Sequence, residues 1–79
     1  MLQMRPNCEC CDSDLAPDTP GAFICSFECT YCEACATGRL LAKCPNCRGE
    51  LFARPLRTAA LLAMAPASQD RVVKTGGCP

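Results

Sequence analysis

Residues 8–47 read CECCDSDLAPDTPGAFICSFECTYCEACATGRLLAKCPNC, and this stretch decides the fold. It contains nine of the ten cysteines of the chain, and eight of these form four close pairs. The pairs are Cys8/Cys11, Cys25/Cys29, Cys32/Cys35 and Cys44/Cys47. A two-residue gap lets one tight turn direct two sulfurs at a single ion, about 2.3 Å from each. The pattern therefore predicts two zinc ions, each with four cysteine ligands.

The chain is too short to be held together by a hydrophobic core alone. It has 79 residues, with three phenylalanines, one tyrosine and no tryptophan. Much of its apolar content is alanine and cysteine, which fill little core volume. Chains of this size need cross-links to offset the conformational entropy lost on folding. Metal ions or disulfides must supply what packing does not.

Disulfides are the alternative, because ten cysteines is an even number and small secreted domains use them. The first ten residues, MLQMRPNCEC, lack the apolar segment and cleavage site of a secretory signal. The longest apolar run, residues 59–65, is far below the ~18 residues of a membrane span. We therefore expect a cytoplasmic protein with reduced thiols and bound metal. Protein that carries no zinc and no free thiols would favour disulfides instead.

The formal net charge of zero changes once metal is counted. Each ion bound by four thiolates gives a site of about −2, so both sites together shift the protein to about −4. No run of like charge is present. A chain with this charge distribution lacks the basic surface that binds nucleic acids. We expect neither nucleic-acid nor membrane binding.

The remaining patterns predict a small zinc-stabilised α+β fold with a short β-hairpin, one short helix and irregular loops. Residues 22–27 are apolar and aromatic, which is typical of a strand. Residues 33–43 favour a short helix, with Leu40 and Leu41 turned inward. Residues 49–52 favour a short closing strand.

Pro55 marks a boundary between two parts of the chain. We expect a zinc-binding domain at residues 1–54 and a C-terminal tail at residues 55–79. Residues 56–65 have good helix propensity. The polar, glycine-containing segment after residue 65 is expected to be disordered.

Four cysteine pairs can be joined into two sites in three ways: sequential, nested or cross-braced. The cross-brace joins the first pair with the third and the second pair with the fourth. Each ion then fixes the loops of the other, which suits a domain with little core. This argument favours the cross-brace, and the other two arrangements remain possible.

The cysteine spacing resembles that of RING fingers, in which the first and third pairs share a zinc ion. The run Cys44-Pro45-Asn46-Cys47-Arg48 is similar to the end of that motif, and Tyr31 lies where RING domains often place an aromatic residue. Cys29 stands where the usual pattern has histidine. LIM domains share the short central gap but have longer outer loops. The resemblance implies a RING-like cross-brace over Cys8 to about residue 51.

Over a longer stretch the chain resembles a family of small bacterial cysteine-rich proteins, the domain of unknown function 1272. The resemblance is carried by MLQMRPNCECCDSDLAPDTPGAFICSFECTYCEACA and by CPNCRGEL. It implies zinc binding, a bacterial source and a cytosolic location, and it implies no particular activity.

Two cysteines lie outside the four pairs. Cys10 is assigned as the spare residue of the first group, because Cys8 and Cys11 have the two-residue gap of a zinc-binding turn. The alternatives are that Cys10 replaces one of them as ligand or is a redox-active thiol. Cys78 is expected to be an exposed, incidental thiol.

These features favour a non-enzymatic, structural zinc-binding module that binds a protein partner. Four thiolates leave no coordination position for water or substrate, and the chain has no histidine to act as a general base. The main alternative is a redox- or zinc-responsive protein. A ubiquitin-ligase-like scaffold is less favoured, because only Arg48 fits that class, and a nucleic-acid-binding zinc ribbon is disfavoured by the charge. Partner identity and oligomeric state are not predicted.

Overall fold

Antiparallel pairing around the second cysteine pair builds the sheet of the computed structural model, which describes residues 2–73. Strand β1 (Ala22–Ile24) lies between β2 (Thr30–Cys32) and β3 (Phe52–Ala53). Phe23 is paired with Tyr31 on one side and with Ala53 on the other. The α+β class is confirmed, and the expected hairpin is extended by a third strand.

Two short helical segments accompany the sheet. A π-helical turn at Cys35–Arg39 follows β2 directly, and the Leu40 N–H donates to the Cys35 carbonyl at 2.9 Å. Helix α1 (Ala59–Met64) begins after Thr58, whose hydroxyl accepts a hydrogen bond from the Leu61 N–H. None of the helices within residues 2–73 has the length and apolar character needed to cross a membrane.

The core is built largely from the cysteine pairs. Tyr31, at the middle of β2, is fully buried and is the largest buried side chain of the core. Ala36, Leu40 and Leu51 pack in the same cluster. Six cysteines complete it: Cys8, Cys10, Cys25, Cys29, Cys35 and Cys44. Sulfur thus occupies much of the space that larger apolar side chains fill in bigger domains.

The predicted helix at residues 33–43 is too long, and the prediction that Leu41 turns inward is wrong. Leu40 is buried, but Leu41 is 74% exposed. Leu41 and Ala42 both have left-handed backbone conformations, with φ of 50° and 62°. Two such residues reverse the chain after Leu40, so the helical turn ends and Leu41 points to solvent.

The predicted strand boundaries also move. β1 stops at Ile24 because the turn between Cys25 and Cys29 begins there, closed by the Glu28 N–H donating to the Cys25 carbonyl. The closing strand was predicted at 49–52 but lies at Phe52–Ala53.

The segment after residue 65 has no helix or strand up to residue 73. It nevertheless makes contacts with the N-terminal part of the chain: the Ser68 N–H donates to the Gln3 carbonyl at 2.9 Å. The division into residues 1–54 and 55–79 stays a prediction, and α1 falls inside the predicted helical segment 56–65.

Candidate metal centres

The first and third cysteine pairs converge on one point. The thiols of Cys8, Cys11, Cys32 and Cys35 all lie within 4.8 Å of one another. Cys11 Sγ lies 3.7 Å from Cys32 Sγ. Four sulfurs placed 2.3 Å from a tetrahedral ion are about 3.8 Å apart, so this group, called the first centre, has the dimensions of a zinc site.

A tight loop presents the first pair. The Asp12 N–H donates to the Cys8 carbonyl and the Cys8 N–H donates to the Ser13 carbonyl, both at 2.8 Å. Within this loop the N–H groups of Cys10 and Cys11 lie 3.4 and 3.5 Å from Cys8 Sγ and point toward it. The thiolate is the form of cysteine that binds metal, and N–H groups that face a sulfur can donate to it.

The electrostatics of the first centre differ between its members. The Ser13 hydroxyl, 2.9 Å from Cys11 Sγ, and then the Ser13 N–H lower the pKa of Cys11 to about 6. Burial raises the pKa of Cys32 and Cys35. Cys11 is the exposed member of the group, whereas Cys8 and Cys35 are buried.

The second and fourth pairs form the second centre. The thiols of Cys25, Cys44 and Cys47 lie within 4.8 Å of one another. Cys29, the fourth predicted ligand, is not part of this tight group, but its thiol lies near those of Cys25 and Cys44. The structure therefore brings three of the four predicted residues together and places the fourth beside them.

Backbone and side-chain donors also converge on the second centre. Although burial opposes ionisation of the Cys44 thiol, the N–H groups of Cys47 and Asn46 lower its pKa to about 7. The Gly49 N–H lies 3.4 Å from Cys47 Sγ. The hydroxyl of Tyr31 lies 3.8 Å from Cys44 Sγ. Burial raises the pKa of Cys25 and Cys29, so the donors favour the thiolate at Cys44 and not across the whole centre.

The two centres interleave along the chain. The cysteines of the first centre lie before β1 and at the end of β2 and just after it. Those of the second centre lie between β1 and β2 and after the π-helical turn. This is the cross-braced arrangement. Cys10 is buried and belongs to neither group, while Cys78 lies outside the described residues.

A buried carboxylate links the two centres, and the sequence analysis did not identify it. Glu9 accepts a hydrogen bond from the Thr30 N–H at 2.7 Å and one from Arg5 at 2.8 Å. Glu9 lies inside the loop of the first pair, and Thr30 precedes Tyr31, which reaches the second centre. Arg5 and Glu9 are four residues apart, but this segment is not helical, so their spacing gives no signal of the pair in the sequence.

Two buried arginines were also missed as structural residues. Arg54 donates to the carbonyls of Arg5 at 2.9 Å and Ala16 at 3.3 Å. Arg57 donates to the carbonyls of Leu2 and Ala65, which joins the N-terminal segment to the end of α1. Among the described residues, these guanidinium groups form no ion pair with a carboxylate.

Comparison with known proteins gives a family and one relative. Residues 1–57 match the family described as "Protein of unknown function (DUF1272)". An uncharacterized protein of Rhizobium meliloti (strain 1021) is 58% identical over 78 residues, which is 99% of this chain and 93% of the relative. No solved structure matches the chain.

Proposed function

The chain belongs to the DUF1272 family, and we propose that it is a non-enzymatic module in which two Zn²⁺ ions fix a surface that binds a protein partner. The first ion is held by Cys8, Cys11, Cys32 and Cys35. The second is held by Cys25, Cys44 and Cys47, with Cys29 completing the site.

The observation that carries the zinc assignment is the close approach of all four thiols of the first centre. Their donor set is entirely sulfur, which suits Zn²⁺ and excludes the oxygen-preferring Mg²⁺ and Ca²⁺. Four thiols this close repel one another when ionised, and an ion of charge +2 removes that cost. Zinc bound in this way is structural, because four protein ligands leave no position for a substrate.

The second centre fits zinc after a small adjustment. Cys29 is buried and its Sγ lies 3.6 Å from the side-chain amide of Asn46. Its thiol lies near those of Cys25 and Cys44, which supports Cys29 as the fourth ligand. Binding of the ion would exchange these thiol–thiol contacts for four sulfur–metal bonds.

The partner-binding proposal is supported by large apolar side chains that remain exposed. Phe27, in the turn that joins Cys25 to Cys29, is 78% exposed. Leu41, held outward by its left-handed backbone, and Phe52, on β3, are also exposed. A chain that is short of core residues yet leaves these outside is consistent with their being covered by another protein.

Affinity capture from the native cell tests the partner proposal. The full chain, loaded with zinc, should retain a partner that Cys25→Ala loses together with the second ion, which fixes the turn that carries Phe27. Phe27→Ala should keep both zinc ions and lose the partner. Glu33→Ala, which changes an exposed charged side chain and none of these apolar residues, is the control and should retain it. Equal capture by the zinc-loaded chain and by Cys25→Ala would contradict the proposal.

A second candidate function is a redox- or zinc-responsive protein. It is favoured by one exposed cysteine in each centre, Cys11 and Cys47, where an oxidant could reach the sulfur. This function predicts that mild peroxide ejects zinc and that a thiol reductant restores binding. Zinc that stays bound until the chain is denatured would exclude it.

A further inference from the structure

The segment 66–73, called the strap, returns across the molecule to the loop that carries the first cysteine pair. We propose that the strap controls access to the first metal centre. Arg71 is the residue of the strap that positions the loop at residues 12–14, beside Cys11. This inference rests on the proposed zinc sites and adds a difference between them: the strap restricts access to the exposed cysteine of the first centre only.

Arg71 holds the loop on both sides of Ser13. Its Nη2 donates to the carbonyl and to Oδ1 of Asp12, both at 2.9 Å. Its Nη1 lies 2.9 Å from Oδ1 of Asp14. Ser13, between these two aspartates, is the residue whose hydroxyl contacts Cys11 Sγ. The guanidinium therefore fixes the loop that brings this hydroxyl to the exposed sulfur of the first centre.

A second contact fastens the strap to the same loop. The amide of Asn7 is buried, and its Nδ2 donates to the Val72 carbonyl and to Asp12 Oδ1, both at 2.9 Å. The same nitrogen lies 3.1 Å from the Cys8 carbonyl. One buried side chain thus joins the strap, the loop and the backbone of a metal-ligating cysteine.

The second centre has no equivalent closure among the described residues. Cys47 is exposed like Cys11, and the backbone N–H of its own turn, from Gly49, is the donor beside it. Contacts of the strap recorded within residues 2–73 reach the N-terminal segment and its loop, not the turn around Cys47. Cys47 is therefore an internal reference for Cys11.

The ion pairs of Arg71 are the contacts of the strap that added salt can weaken. The side chains of Arg71, Asp12 and Asp14 are 43%, 50% and 88% exposed. Ion pairs with this exposure are individually weak and are screened by added salt. Added salt should therefore loosen the loop around Ser13, while the hydrogen bond from Asn7 to the Val72 carbonyl, which is not ionic, keeps the strap attached. Access to Cys11 should then depend on ionic strength, whereas access to Cys47 should not.

Residue-resolved alkylation tests this inference. The zinc-loaded full chain is treated with iodoacetamide, and modification of Cys11 and Cys47 is followed by peptide mass spectrometry. Arg71→Ala should raise the ratio of the Cys11 rate to the Cys47 rate about two- to five-fold, the range that exposed ion pairs support. Raising the salt concentration should produce a similar rise in the unmodified chain and little further change in the variant.

Two comparisons make the result specific. Arg39→Ala removes an exposed arginine that forms no ion pair among the described residues, so it controls for the change in net charge and should leave the ratio unchanged. In the Asp14→Asn background, the effect of Arg71→Ala should be smaller. A chain that binds two zinc ions but shows the same ratio with and without Arg71 would overturn the strap. A chain that binds no zinc would instead overturn the proposed function.

Discussion

At the scale of single residues, the fold depends on how each sulfur obtains its donors. The Cys8, Cys44 and Cys47 thiols each lie beside backbone N–H groups of their own turns. Such donors reduce the cost of gathering negative charge at one point. Tight turns carry these three cysteines, whereas Cys32 ends β2 and Cys35 begins the π-helical turn.

Cys10 and Cys8 should respond differently to the same substitution. Cys8→Ser removes a member of the first centre and should lower zinc binding from two ions per chain to one. Cys10→Ser changes a buried residue outside both centres and should leave two ions bound. Native mass spectrometry of the two variants measures this directly. Loss of an ion from Cys10→Ser would show that Cys10 is a ligand.

Glu9 should contribute more to the free energy of unfolding than a typical loop residue does. Glu9→Ala leaves the buried Thr30 N–H without its acceptor, which should cost about 1–3 kcal/mol of unfolding free energy. Glu33→Ala, at an exposed glutamate, should change stability by less than about 0.5 kcal/mol. Urea unfolding of the zinc-loaded proteins, followed by circular dichroism, gives both values. Equal stabilities of the two variants would contradict a structural role for Glu9.

At the scale of elements, each strand and helical turn is limited by the cysteine turns beside it. β1 ends where the turn of the second pair begins, and the helical turn after β2 contains Cys35 in its first position. No element has room for a full amphipathic pattern. The elements are therefore positioned by metal-ligating turns more than by intrinsic propensity.

Two glycines should show opposite effects when replaced by alanine. Gly21 precedes β1 with φ of 117°, so Gly21→Ala should cost about 1–3 kcal/mol of unfolding free energy through backbone strain alone, since no atom lies near the added methyl group. Gly38 lies in the π-helical turn without positive φ and with open space around it, so Gly38→Ala should stabilise by about 0.5–1 kcal/mol. Thermal unfolding of the zinc-loaded chains would test the pair. A stabilising Gly21→Ala would contradict the described hairpin.

The sequence predicted which cysteine pairs face each other, but not the full course of the chain between them. The spacing within a pair is a local property of its turn, so the four pairs could be identified from residues 8–47 alone. Among the three ways of joining the pairs, the small core favoured the cross-brace. The left-handed backbone at Leu41 and Ala42 could not, because neither residue type favours it. The hydrogen bonds of Arg54 and Arg57 to distant carbonyls also leave no periodic signal in the sequence.

At the scale of the whole molecule, the two proposed zinc ions would take the place of a larger hydrophobic core. The described residues hold few large buried side chains, and the cysteines at both centres are part of the same cluster. Because the centres interleave, either ion alone still joins two cysteine pairs that are distant in the chain. The protein should therefore fold with zinc and lose its structure when both ions are removed.

The zinc stoichiometry of double variants, measured by native mass spectrometry, tests the cross-braced account most directly. The unmodified chain should carry two ions. Cys8→Ser/Cys32→Ser removes two ligands from one centre and should keep one ion, whereas Cys8→Ser/Cys25→Ser damages both centres and should keep none. A zinc-free wild-type chain with oxidised thiols would contradict the account. So would a Cys8→Ser/Cys25→Ser variant that retains one ion, because those two cysteines would then share a site.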